Sequence, residues 1–132
     1  GLAASAAHLQ SEKVDGQTYW FDPALPPPPA PSAEEPAAYL FSIYDEYVIG
    51  YKEWSAIADA EDAARLRALA NDLTNVVLVD GRIVGTWKRA IGSRGVTVTL
   101  RPLRTLRQEE TDAVAAAADR LGAFLDRPAT LV

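Results

Sequence analysis

The residues best suited to chemistry in this 132-residue chain are cations rather than nucleophiles. Arg82, Lys88, Arg89, Arg94, Arg101, Arg104 and Arg107 follow one another in a span that contains no Asp or Glu. Such a run suits phosphate, because guanidinium and ammonium groups donate charge-assisted hydrogen bonds and release counterions from a polyanion. Arg82, Lys88, Arg89, Arg94 and Arg101 are the candidate nucleic-acid contacts. The formal net charge of −5 argues the other way. Its acids lie elsewhere, however: between Glu34 and Asp72 they outnumber the bases several-fold. A field segregated in this way steers an anion to one face. The opposing expectation is that alternation along strands sends the arginines to both faces and disperses the field.

Other chemistries find little support. With no cysteine there is no disulfide framework, thiolate nucleophile or thiolate metal site, which suits a reducing compartment and makes the cytoplasm the expected location. His8 is the single histidine and has no acidic or cysteine partner at ligand spacing, so it reads as a surface or core residue rather than a base or a ligand. Asp45 and Glu46 are adjacent carboxylates, but neighbouring side chains diverge on a helix or a strand, so the pair is not a facing acid/base dyad. Asp45 reads instead as a cap for the segment after it. There is no Gly-rich phosphate loop, Gly-x-Ser-x-Gly elbow or His-Glu-x-x-His. No catalytic residue, metal or cofactor is assigned. No apolar run reaches the roughly 18 residues of a membrane span. The opening Gly1 to Ser5 lacks the basic region of a signal peptide and reads as a cut within a longer chain.

The elements that must position the cations are marked by turn chemistry. Asp80-Gly81 sits between the apolar runs Val76 to Val79 and Arg82 to Thr86, the pattern of a type I′ hairpin, and Trp87 to Ile91 extends its second strand. Gly92 to Gly95 turns the chain again into Val96-Thr97-Val98-Thr99-Leu100. There the Val and Leu side chains face a core, Thr97 and Thr99 face out or line a surface, and Pro102 ends the strand. Ahead of this meander, a strand is expected from Ala38 to Ile43. A helix capped by Asp59 runs to Leu69, with Leu66 and Leu69 at helical spacing and Arg65 and Arg67 near its end. Behind it, Thr105 to Asp126 reads as a helix with Val114, Ala117, Ala118, Leu121, Phe124 and Leu125 as its apolar stripe and with Gly122 marking a close backbone approach. Upstream, Leu2 to Gln10 reads as the end of a helix, followed by a second Asp-Gly hairpin at Asp15-Gly16. Trp20, Trp54 and Trp87 are the expected large core fillers.

The fold class is therefore α+β: a small antiparallel sheet or partly open barrel, made of the hairpin 76–87 and the strand 96–100, under a C-terminal helix. Its domains are the helix-plus-hairpin of residues 1–21, a proline-rich linker over 22–36 and the main module over 37–132. The linker reading rests on Pro23, Pro26 to Pro29, Pro31 and Pro36, which favour an extended spacer.

At Tyr44-Asp45-Glu46-Tyr47-Val48-Ile49-Gly50-Tyr51-Lys52, and again at Val76-Val77-Leu78-Val79-Asp80-Gly81-Arg82-Ile83-Val84-Gly85-Thr86-Trp87-Lys88-Arg89, the sequence resembles the bacterial winged-helix DNA-binding family that includes the AlkZ-type DNA glycosylases. The resemblance covers nearly the whole chain and matches the family's C-terminal portion, with Val14 to Trp20 as the end of a winged-helix module. It implies tandem winged-helix modules upstream and a sheet-rich module that frames a basic DNA channel. It also implies that base excision depends on an N-terminal Gln-x-Gln or Gln-x-Asp motif. Gln10, Gln17 and Gln108 do not form that pattern. Where relatives carry an arginine after the aromatic-acidic stretch, this sequence reads Lys52-Glu53-Trp54-Ser55.

The function these readings favour is a non-catalytic C-terminal module of a winged-helix protein that binds double-stranded DNA. Two alternatives stay open: the channel wall of a glycosylase whose catalytic residues lie upstream, and a protein-protein or self-association module forming a homo-oligomer.

Overall fold

A computed structural model of the chain describes residues 2–5, 7–27, 36–50, 54–69 and 75–132, with the backbone alone for 2, 3, 67 and 69. The chain divides into two compact units, Gly1–Ala30 and Pro31–Val132. Most of the proline run and the Tyr51-Lys52-Glu53 stretch lie outside the described residues, as do the side chains of Arg67 and Leu69.

The first unit contains α1 (Leu2–Ser5) and an antiparallel hairpin of β1 (Gln10–Val14) and β2 (Gln17–Phe21). Asp15 and Gly16 adopt positive φ (49° and 82°), as a type I′ turn demands. Two expectations are corrected here. The helix ends at Ser5, and Gln10 already belongs to a strand. Trp20 is no core filler: it is 44% exposed, because every position of both strands is exposed and, among the described residues, the unit's one other regular element is four-residue α1.

The second unit is built on a curled five-stranded half-barrel sheet in the order β3-β4-β5-β6-β7. Its strands are β3 (Ala38–Phe41), β4 (Val76–Val79), β5 (Arg82–Gly92), β6 (Gly95–Pro102) and β7 (Ala129–Leu131). The first four pair antiparallel in sequence, and β7 joins β6 in parallel. The expected strand to Ile43 ends at Phe41, after which Asp45 caps α2 (Glu46–Ile49) by accepting from the Tyr47 amide at 3.0 Å. Asp59 likewise accepts from the Asp62 amide at 2.9 Å, at the start of α3 (Ala60–Leu69).

The β4-β5 hairpin is the centre of this sheet. Asp80 and Gly81 have φ of 49° and 78°, and the Asp80 carboxylate holds the entry to β3 by accepting from the Ala37 amide at 2.9 Å. All four residues of β4 are buried, because both sheet faces are covered there. Val77 and Val79 pack with Val84, Trp87, Val96 and Val98 beneath α4 (Gln108–Phe124). Val76, Leu78 and Ile83 pack on the other face with Ile57, Ala63 and Leu66, and Trp54 and Leu103 lean on this second cluster. At roughly 1.5–3 kcal/mol for each large aliphatic side chain buried, these two layers dominate the unit's stability. Trp87 is fully enclosed, and its indole N–H donates to the Phe41 carbonyl at 2.9 Å, so its one polar atom is satisfied.

Helix α4 begins three residues later than the sequence suggests, with Arg107 at the cap position and Glu110 accepting from the Arg107 amide at 2.9 Å. Val114, Ala117 and Ala118 are buried and Leu121 and Leu125 pack on the core, but Phe124 is 85% exposed. The reason is Gly122. A Cβ at that position would lie 2.7 Å from the Arg127 carbonyl oxygen and 2.9 Å from the Ala129 Cβ, so the helix leans its glycine side into the turn before β7. At about 100° per residue, Phe124 lies roughly 160° around the helix from Gly122 and is turned to solvent.

Candidate nucleic-acid interface

Strand pairing decides where each candidate cation stands. On β5 and β6, Lys88 pairs with Thr99, Ala90 with Thr97 and Thr86 with Arg101, whereas Trp87 pairs with Leu100 and Arg89 with Val98. Directly paired residues share a sheet face. Val98, Leu100 and Trp87 face α4, so Arg89 lies on the α4 side while Lys88 and Arg101 lie on the opposite side. Arg94 is in the turn between the strands, and Arg82 opens β5 opposite Val79.

Arg82 and Lys88 would share a face in a regular strand, being six residues apart. A bulge separates them: Val77 pairs with Gly85 but Leu78 pairs with Ile83, leaving Val84 as the extra residue. That residue reverses the alternation and places Arg82 on the same side as Arg89. The structure thus brings Lys88 and Arg101 together as diagonal neighbours, keeps Arg82 and Arg89 on the other side, and leaves Arg94 at the tip.

All five candidates are exposed, and among the described residues none makes a side-chain hydrogen bond or ion pair. The remaining arginines of the unit with described side chains are engaged. Arg104 grips Glu110 through two bonds of 2.8 Å, and Arg107 approaches the same carboxylate at 3.4 Å. Arg65 pairs with Glu61 and donates to the Leu103 carbonyl at 2.6 Å. Arg120 donates to the Ala38 carbonyl at 2.6 Å, and Arg127 to the Gly92 carbonyl at 2.8 Å. Glu110 is the strongest electrostatic feature: its hydrogen bonds from Arg104, opposed by burial and helped by the Arg107 amide, hold its carboxyl down at about 2. The same contact raises the pKa of Arg104.

The side carrying Lys88 and Arg101 has a further property. Thr97 pairs with Thr130 of β7, so Ala90, Thr97 and Thr130 form one row across three strands, beside the Lys88–Thr99 row. Thr97, Thr130, Lys88 and Arg101 are exposed and Thr99 is half-buried. An open groove of about 540 Å³ at the hairpin end is lined by Ala90, Arg94, Thr97 and Thr130 among others. Thr130 was out of reach of sequence reasoning because β7 was not foreseen; its partner Thr97 was signalled by the Val-Thr-Val-Thr alternation. Trp54 stands where an arginine contact was implied, and it leans on the α3 side of the core. Among the described residues, no group of three or more His, Cys, Asp or Glu could hold a metal ion.

Residues 1–124 match the family described as DNA glycosylase AlkZ-like. The chain belongs to this family. The AlkZ-like chain is also similar in fold to a solved structure, the Streptomyces sahachiroi DNA glycosylase AlkZ, with a TM-score of 0.61 and 23% identity. That likeness covers 99% of this chain and 35% of the other, so the chain spans about a third of that protein's length. Comparison with curated proteins finds no match. Among the described residues, no helix is long and apolar enough to cross a membrane.

Proposed function

We propose that this chain is a non-catalytic, C-terminal module of an AlkZ-like protein with upstream winged-helix modules, supplying scaffold and a basic surface that faces duplex DNA. One observation carries the reading: in a chain of DNA glycosylase family, the described cations of the unit Pro31–Val132 that are exposed and without a protein partner are those of the acid-free β5-β6 segment. Such cations position a nucleic acid through its phosphates and carry no sequence preference themselves. Base removal falls to residues outside this chain, since its three glutamines do not form the Gln-x-Gln or Gln-x-Asp pattern. The module then serves as the wall of the channel in which that chemistry proceeds.

A salt titration tests the DNA-facing role. The full chain binds a mixed-sequence duplex with an affinity that falls with salt. Replacing the five candidates Arg82, Lys88, Arg89, Arg94 and Arg101 together by Ala flattens that slope, by about 0.9 for each one that meets a phosphate. An unchanged slope refutes the role. Release of a damaged base by this chain alone refutes the non-catalytic assignment.

A further inference from the structure

Resting on that DNA-facing reading, we infer that the contact is made by one side of the sheet only: Lys88, Arg101, Thr97, Thr99 and Thr130 form a single surface for the sugar-phosphate backbone of duplex DNA, and Arg82 and Arg89 take no part in it. The register supplies the first argument. Same-side residues along a strand are about 6.8 Å apart and neighbouring strands about 4.8 Å, so these five side chains make a compact lattice of two cations and three hydroxyls. Each hydroxyl can donate to a phosphate oxygen and each cation neutralises one.

Complementarity of charge and shape supplies the second. Below this region the same side is filled by the Ile57–Leu66 cluster, but at Lys88, Ala90, Thr97 and Thr130 it is open within the unit, and among the described residues Ala90 and, beside Thr99 at the end of β7, Val132 are the apolar members of this polar row. Small threonines and an alanine leave the backbone of β5, β6 and β7 approachable, as a convex phosphate chain requires. The opposite side differs: Arg89 stands beside Ile91, which is 54% exposed, at the margin of the apolar layer under α4. The lattice is also held in place, because Arg127 donates to the Gly92 carbonyl and the Val96 amide donates to the Pro128 carbonyl, both at 2.8 Å.

The experiment compares three variants of the full chain on one fluorescent mixed-sequence duplex across 50–200 mM salt. Lys88→Ala with Arg101→Ala removes two phosphate contacts, lowering the slope of log affinity against log salt by about 1.8; over this range the wild type then loses about twelvefold more affinity than the variant. Arg82→Ala with Arg89→Ala leaves the slope unchanged. Thr97→Val with Thr130→Val, which keeps shape and strand preference, lowers affinity roughly fivefold or more with no change in slope, the signature of lost neutral donors. The one-sided surface is overturned if the Arg82/Arg89 pair flattens the slope as much as the Lys88/Arg101 pair, or if the threonine variant binds as the wild type does; DNA binding by the module survives both results. If neither charge pair alters the slope, or the wild type binds no duplex, the DNA-facing role itself falls and this surface with it.

Discussion

Replacing Glu110 by Gln is expected to destabilise the second unit in a manner that depends on pH. Glu110 is nearly sealed from solvent and accepts two bonds from the Arg104 guanidinium and one from the Arg107 amide. Its carboxyl pKa falls from 4.5 to about 2, a difference worth roughly 3 kcal/mol at about 1.4 kcal/mol for each pH unit. Because the Arg104 side chain is 43% exposed and partly screened, about 2 kcal/mol is the better figure. The folded-state pKa lies below the unfolded one, so this contribution is complete above about pH 5 and is lost as the pH falls toward 2. Glutamine keeps an oxygen for the Arg107 amide but has no charge to lose. Urea denaturation followed by the helical circular dichroism of α4 measures the effect. The gap between wild type and Glu110→Gln should be about 2 kcal/mol at pH 6 and close within a few tenths by pH 2. A gap of constant size between those values would refute the linkage, and no gap at pH 6 would show that the Arg104–Glu110–Arg107 cluster contributes nothing net.

The packing yields further expectations. Gly122→Ala should destabilise by about 1–3 kcal/mol despite the better helix propensity of alanine, because the new methyl meets the Arg127 carbonyl; a rise in the urea midpoint would contradict the close approach. Trp87→Phe should cost about 1–3 kcal/mol in the same assay, leaving the Phe41 carbonyl without its donor and a void beside Val98. Phe124→Ser should leave stability within about 0.5 kcal/mol, since the ring is in solvent, and a larger loss would contradict that exposure.

Where local chemistry decides the conformation, the sequence was sufficient. Asp80-Gly81 and Asp15-Gly16 form the expected turns because their backbone needs positive φ, which few residues accept, and Asp45 and Asp59 cap the helices after them. Non-local pairing was not legible. Ala129-Thr130-Leu131 becomes a strand only because Gly122 lets the chain return close enough to lie parallel to β6. The same approach turns Phe124 away from a stripe that it joins on a helical wheel. The disposition of the cations failed to show for a related reason: the extra residue at Val84 moves Arg82 to the other side from Lys88, and nothing in the run Arg-Ile-Val-Gly-Thr-Trp-Lys announces a bulge except a glycine.

The charge balance acquires its meaning from these contacts. A net charge of −5 would weaken any phosphate contact if it acted evenly over the surface. Instead, folding brings acids to particular arginines: Glu110 to Arg104 and Arg107, and Glu61 and Asp62 to Arg65. Arg120 and Arg127 are committed to carbonyls that hold β3 and the β5-β6 turn. What remains exposed on β5, β6 and their turn is positive and without acid in its own segment, and charges farther off than about 8–10 Å are largely screened at physiological ionic strength. A phosphate arriving there meets the local cations rather than the net charge. It follows that replacing distant acids should scarcely change the salt slope, whereas freeing Arg104 and Arg107 through Glu110→Gln should steepen it if DNA passes the end of β6.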